Sequence, residues 1–179
     1  PVRDLLCCFL GGADVSARLD PTAVVLTESG PATDAFYQNG PERGLSTYPE
    51  LLAAGREAAD GAAIGRVILI GFSRGCQAIR THVGDGYLPD AAVCCDGTHS
   101  PIPPGGANFA IWQKLVDNAK SGGPPFATSH SCIVTEPSFS STHATLEALT
   151  GVQLPCGPDI VSLGEYTSGN LTVLSVGGT

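Results

Sequence analysis

Charge is scarce in this chain: Asp, Glu, Lys and Arg make up 15% of its 179 residues, and only nine of them are basic. The formal net charge is -8, and no cluster of Lys and Arg offers a face for phosphates, which argues against nucleic acid as a partner. Aromatic residues amount to 6% with a single tryptophan, leaving few rings to line a sugar site. No uninterrupted apolar run reaches about 18 residues, so a membrane span is not expected. Methionine is absent, the chain opens on Pro1, and it stops at Thr179 just after the apolar run Leu171–Val176. A missing C-terminal segment is therefore expected. No signal peptide is visible at the N-terminus.

What the chain has is apolar substance. Hydrophobic residues reach 42%, enough for one substantial core, and a single domain over residues 1–179 is expected. Four of the seven cysteines form the adjacent pairs Cys7-Cys8 and Cys94-Cys95 inside strand-like runs. Neighbouring strand residues point to opposite faces, so each pair reads as small hydrophobes filling both sides of a sheet. The odd count and these positions favour reduced thiols and a cytoplasmic protein, with room for one disulfide. A zinc reading of Cys94, Cys95, Asp96 and His99 lacks a second half of ligands, and no metal or other cofactor is expected.

Apolar runs alternate with helical patterns along the chain, as in parallel strands joined by crossover helices. Strands are expected at Leu5–Leu10, Ala23–Thr27, Arg66–Ile70, Ala91–Cys95, within Phe126–Thr135 and at Leu171–Val176. Helices are expected at Tyr48–Ala59, Arg74–Val83, Asn108–Lys120 and Ser141–Thr150, with glycines at 122 and 151 as stops. Ile160–Leu163 and Leu171–Val176 flank a hairpin turn at Thr167-Ser168-Gly169-Asn170. The segments Ser29–Thr47 and Pro101–Gly106 read as long loops at strand ends, where pockets are built. The fold class is α/β, with a mostly parallel sheet between two layers of helices.

The most informative run is Val67-Ile68-Leu69-Ile70-Gly71-Phe72-Ser73-Arg74-Gly75, an apolar strand entering Gly-x-Ser-x-Gly and leaving as a helix. That context reads as a nucleophile elbow with Ser73 as the nucleophile, against the plainer reading of a serine in a tight turn. The helix start after Ser73 aims its first N–H groups and the positive end of its dipole at any oxyanion formed there. The strand Leu5–Leu10 ends in Gly11-Gly12, where backbone N–H groups can approach a ligand closely. Gly12 and Arg74 are thus the candidate oxyanion donors, with a simple turn as the alternative at Gly12.

The carboxyl edge of the sheet is where functional groups gather. Asp96 directly follows Ala91–Cys95 and is the first candidate for the acid that orients a histidine, with Glu136 as its rival. His99 and His130 both lie near strand carboxyl ends and are the candidate bases, each also readable as a structural histidine. His82 reads as a surface or packing residue and His143 as a solvated one.

The strand-elbow-helix unit, the Gly-Gly after an early strand and the acid after a later one resemble the α/β-hydrolase superfamily, with Gly71-Phe72-Ser73-Arg74-Gly75 as the specific motif. The resemblance implies a three-layer α/β/α sandwich and a serine hydrolase acting on a small-molecule ester or related acyl compound without a cofactor. It also implies a triad in the order Ser, acid, His, with the histidine after the last strand. Here only Gly177-Gly178-Thr179 follows that strand. Either the histidine lies beyond Thr179, or His99 or His130 has taken the role, or the chain is a non-catalytic binding or structural relative.

Overall fold

A computed structural model describes residues 2–10, 24–29, 47–59, 63–100, 104–132, 142–159 and 161–177. The chain divides into two units, 1–93 and 94–179.

In the first unit, strand β1 (Val2–Leu10) lies between β2 (Val24–Ser29) and β3 (Ala63–Phe72), parallel to both. Parallel neighbours need crossover connections. The link from β2 to β3 contains helix α1 (Tyr48–Ala58), which packs against both strands. Leu51, Gly55 and Ala59, spaced by four, form its buried stripe. Thr47 starts the helix with a capping box: its hydroxyl accepts from Glu50 N–H, while the Glu50 carboxylate accepts from Thr47 N–H at 2.6 Å and from its hydroxyl at 2.8 Å. In β3, Val67, Leu69 and Gly71 are buried with the strand's period of two. One 3-10 turn, Ser73–Gly75, leads from β3 into helix α2 (Cys76–Gly84), of which seven of nine residues are buried.

Strand β4 (Ala91–Cys95) carries the chain from the first unit into the second. There, helix α3 (Gly106–Lys120) buries Trp112, Leu115, Val116 and Ala119 along one face. Trp112 stacks on Phe126, the first residue of β5 (Phe126–His130), with ring centroids 6.3 Å apart. Helix α4 (Thr142–Thr150) packs on α3 and β5, and the Lys120 ammonium donates to the final carbonyls of Leu149 and Thr150. A cation there satisfies orphan acceptors and complements the helix dipole. Strand β7 (Leu171–Val176) pairs parallel with β5 and antiparallel with β6 (Ser162–Ser168).

The fold is thus α/β with mostly parallel strand pairing, as the alternating pattern led one to expect. Two strands, Ala91–Cys95 and Leu171–Val176, have the expected bounds. Three differences have physical causes. Helix α2 starts at Cys76 rather than Arg74, because Ser73, Arg74 and Gly75 form the tighter turn. Strand β3 starts at Ala63 rather than Arg66, because Ala63 and Ile64 pair with Val2 and Arg3 across a register irregularity. Strand β6 runs to Ser168 through polar residues, since pairing with β7 extends it. No helix among the described residues is long and apolar enough to cross a membrane.

Candidate active site

Ser73 sits where β3 gives way to the 3-10 turn, with φ at 50°. Left-handed backbone is uncommon for a residue with a side chain and costs of order 1–3 kcal/mol. Gly71 explains how the turn is made. A Cβ at Gly71 would meet both the Cα and the N of Cys76 at 2.8 Å, so the start of α2 crosses the strand closely over a residue that must lack a side chain. The small residue two positions before the serine is therefore a packing requirement of the sharp strand-to-helix reversal.

Backbone register places a second element beside this turn. Leu10 and Phe72 are partners at the ends of the parallel strands β1 and β3. Ser73, the residue after Phe72, therefore follows β3 at the edge where β1 ends. Gly12 itself lies outside the described residues, as does Glu136. Arg74 is the middle residue of the 3-10 turn. Histidine enters the first unit in α2 as His82, which is buried and meets the ring of Tyr48 edge-on at 5.8 Å, in keeping with a packing role.

Asp96, His99 and His130 belong to the second unit. Asp96 also has a positive φ, 47°, a conformation that aspartate tolerates better than most residues. Its N–H donates to the Ser129 carbonyl, and its carboxylate accepts from Ser131 N–H at 3.1 Å and from the Ser131 hydroxyl at 3.0 Å. The acid is fixed by the loop that follows β5. His99 is half-buried: its carbonyl accepts from Trp112 Nε1 at 2.8 Å and its Nδ1 lies 3.4 Å from the Thr142 hydroxyl. Beside it, the hydroxyls of Thr98 and Thr128 bond at 2.8 Å in the interior.

His130 is fully buried because of strand parity. Phe126, Thr128 and His130 face inward from β5, opposite Leu171, Val173 and Ser175 of β7. The last pair is polar, and His130 Nε2 bonds the Ser175 hydroxyl at 2.8 Å. Its Nδ1 has no hydrogen-bond partner. Burial, reinforced by the nearby His143, pushes the His130 pKa below the ordinary imidazole value; the Ser131 backbone, Asp96 and Glu147 oppose the shift.

The cluster around His130 contains groups that sequence reasoning did not bring together. The rings of His130 and His143 lie 4.9 Å apart between centroids. His143, expected to be solvated, sits in α4 with its Nε2 3.3 Å from Glu147. Cys132 and Cys156 form a disulfide with their Cα atoms 5.8 Å apart. The sequence left room for one disulfide, and it joins two cysteines outside the adjacent pairs, while Cys76, Cys94 and Cys95 form no disulfide. An open depression of about 520 Å³ beside the bond is lined by His143, Glu147, Gln153, Leu154, Pro155 and Cys156.

No protein-family model matches this chain, and no match was found among curated proteins or solved structures.

Proposed function

We propose that the protein is a serine hydrolase of α/β-hydrolase type that cleaves an ester or related acyl bond, with Ser73 as nucleophile. The carrying observation is the strained turn: Ser73 at φ 50° stands two residues after a glycine that admits no Cβ, between β3 and the largely buried helix α2. A chance Gly-x-Ser-x-Gly does not require a left-handed serine, whereas an elbow that lifts the hydroxyl out of the sheet does. The shared edge of β1 and β3 supports the second part of the reading, in which N–H groups near Gly12 and Arg74 stabilise the oxyanion.

In this mechanism Ser73 Oγ attacks the carbonyl while a histidine takes its proton, and a carboxylate holds that histidine in the right tautomer. Asp96 keeps its place ahead of Glu136 for the carboxylate, since Ser131 already holds it in one orientation. His99 and His130 keep their sequence-based candidacy for the base. The three-layer sandwich belongs to the same proposal.

The direct kinetic test is hydrolysis of a short p-nitrophenyl ester by the protein and by Ser73→Ala. Loss of about a thousandfold or more fits a triad nucleophile. Activity of Ser73→Ala within a few-fold of the parent removes Ser73 as the nucleophile, and no activity in either favours a non-catalytic member of the fold.

A further inference from the structure

Around the Cys132–Cys156 bond, four soft or borderline metal ligands converge from β5, the loop after it, α4 and the segment after α4. One donor atom from each of His130, Cys132 and His143 lies within 4.8 Å of the others, and Cys156 Sγ is 3.6 Å from His143 Nδ1. A tetrahedral zinc site, with Zn–N about 2.0–2.1 Å and Zn–S about 2.3 Å, places neighbouring donors roughly 3.3–3.8 Å apart. Small side-chain rotations close that difference once the sulfurs are no longer bonded to each other.

The two histidines are prepared in the same way. His130 Nε2 bonds the Ser175 hydroxyl, and His143 Nε2 lies 3.3 Å from a Glu147 carboxylate oxygen, with His143 Nδ1 the ring nitrogen nearer Cys156 Sγ, at 3.6 Å against 3.8 Å for Nε2. Anchoring one ring nitrogen to an oxygen so that the other can ligate is the usual outer-shell arrangement of metal-binding histidines. His130 Nδ1 is moreover buried without any hydrogen-bond partner, a costly state for a polar atom that has no use. The depression lined by His143, Glu147 and Cys156 opens the cluster to solvent.

We propose that His130, Cys132, His143 and Cys156 form a zinc site whenever the disulfide is reduced, so that disulfide and metal are alternative clasps between the loop after β5 and the segment after α4. The chemistry balances with a dithiol as reductant. Its thiolate attacks one sulfur of the Cys132–Cys156 bond, its second thiol displaces the mixed disulfide, and the dithiol leaves as a cyclic disulfide with both cysteines as thiols. Zinc then binds the two thiolates and two neutral imidazoles, releasing two protons to solvent. This inference takes His130 as a ligand and so leaves His99 as the candidate base for Ser73; it does not otherwise rest on the role of Ser73.

The test is a cobalt titration of the intact protein, reduced with a dithiol and freed from it under inert gas. One equivalent of Co²⁺ should bind tetrahedrally, with intense visible absorption and a thiolate charge-transfer band, and zinc should displace it one for one. The oxidised protein should give neither band. His143→Asn, at a partly exposed position, should weaken binding at least about tenfold while far-UV circular dichroism stays native. Cys132→Ser with Cys156→Ser should remove the charge-transfer band. Reduced, folded protein that takes up no tetrahedral cobalt overturns the proposal, as does binding that persists undiminished in the double serine variant or in His143→Asn.

Discussion

The backbone of Cys76 lies so close to Gly71 that a single added carbon on the glycine would meet Cys76 N and Cα at 2.8 Å. Contacts of that kind are with backbone, which cannot rotate away. Gly71→Ala should therefore push α2 from β3 and cost about 1–3 kcal/mol of stability, as overpacking does. Chemical denaturation measures this, and an unchanged midpoint would show that the close crossing is absent in solution.

Ser73 offers a sign test for strain. Glycine occupies left-handed backbone freely, while alanine is penalised there as serine is. Ser73→Gly should accordingly be more stable than Ser73→Ala by about 1 kcal/mol, although both lack the nucleophile. Equal stabilities, or alanine the more stable, would mean that residue 73 has relaxed to ordinary backbone.

Asp96 separates structure from chemistry. Asp96→Ala loses both bonds from Ser131 and places alanine at φ 47°, and it should destabilise by about 1–3 kcal/mol. Asn tolerates the same backbone and keeps one acceptor oxygen, so Asp96→Asn should cost less. If Asp96 is the triad acid, ester hydrolysis falls steeply in Asp96→Asn all the same. Thermal melts beside kinetics on both variants decide it, and full activity in Asp96→Asn would transfer the role to another carboxylate.

At the start of α1, the Thr47 backbone N–H and hydroxyl hold the fully exposed Glu50 carboxyl below its ordinary pKa. A depressed carboxyl pKa adds stability that is present above the unfolded value and lost as pH falls through the folded one. NMR titration should find Glu50 ionising at lower pH than a free glutamate. In Thr47→Ala the value should rise toward the ordinary one; no change on substitution would contradict the capping box.

These expectations draw on features of unequal visibility in the sequence. Strands β4 and β7 could be bounded by eye because five and six apolar or small residues stand between turn-forming neighbours. Strand β6 could not, since Gly164 and Glu165 carry no strand signal and become strand only through pairing with Leu171–Val176. The strand-turn-helix reversal at Ser73 was legible because all its parts lie within a few residues. The His130–His143–disulfide cluster was not, as Cys132 and Cys156 are 24 residues apart and only β5–β7 parity and the packing of α4 bring the group together. Strand parity also buries His130 opposite Ser175, a pairing that a one-residue slip in register would have undone.

The central claim is that Ser73 is an activated nucleophile. Treating the folded protein with a fluorophosphonate and mapping the adduct by peptide mass spectrometry tests it without knowledge of the substrate. The account predicts one adduct, on the peptide containing Gly71-Phe72-Ser73-Arg74-Gly75, that is absent after heat denaturation and in Ser73→Ala. Folded protein that stays unlabelled, or an adduct that persists in Ser73→Ala, would contradict it.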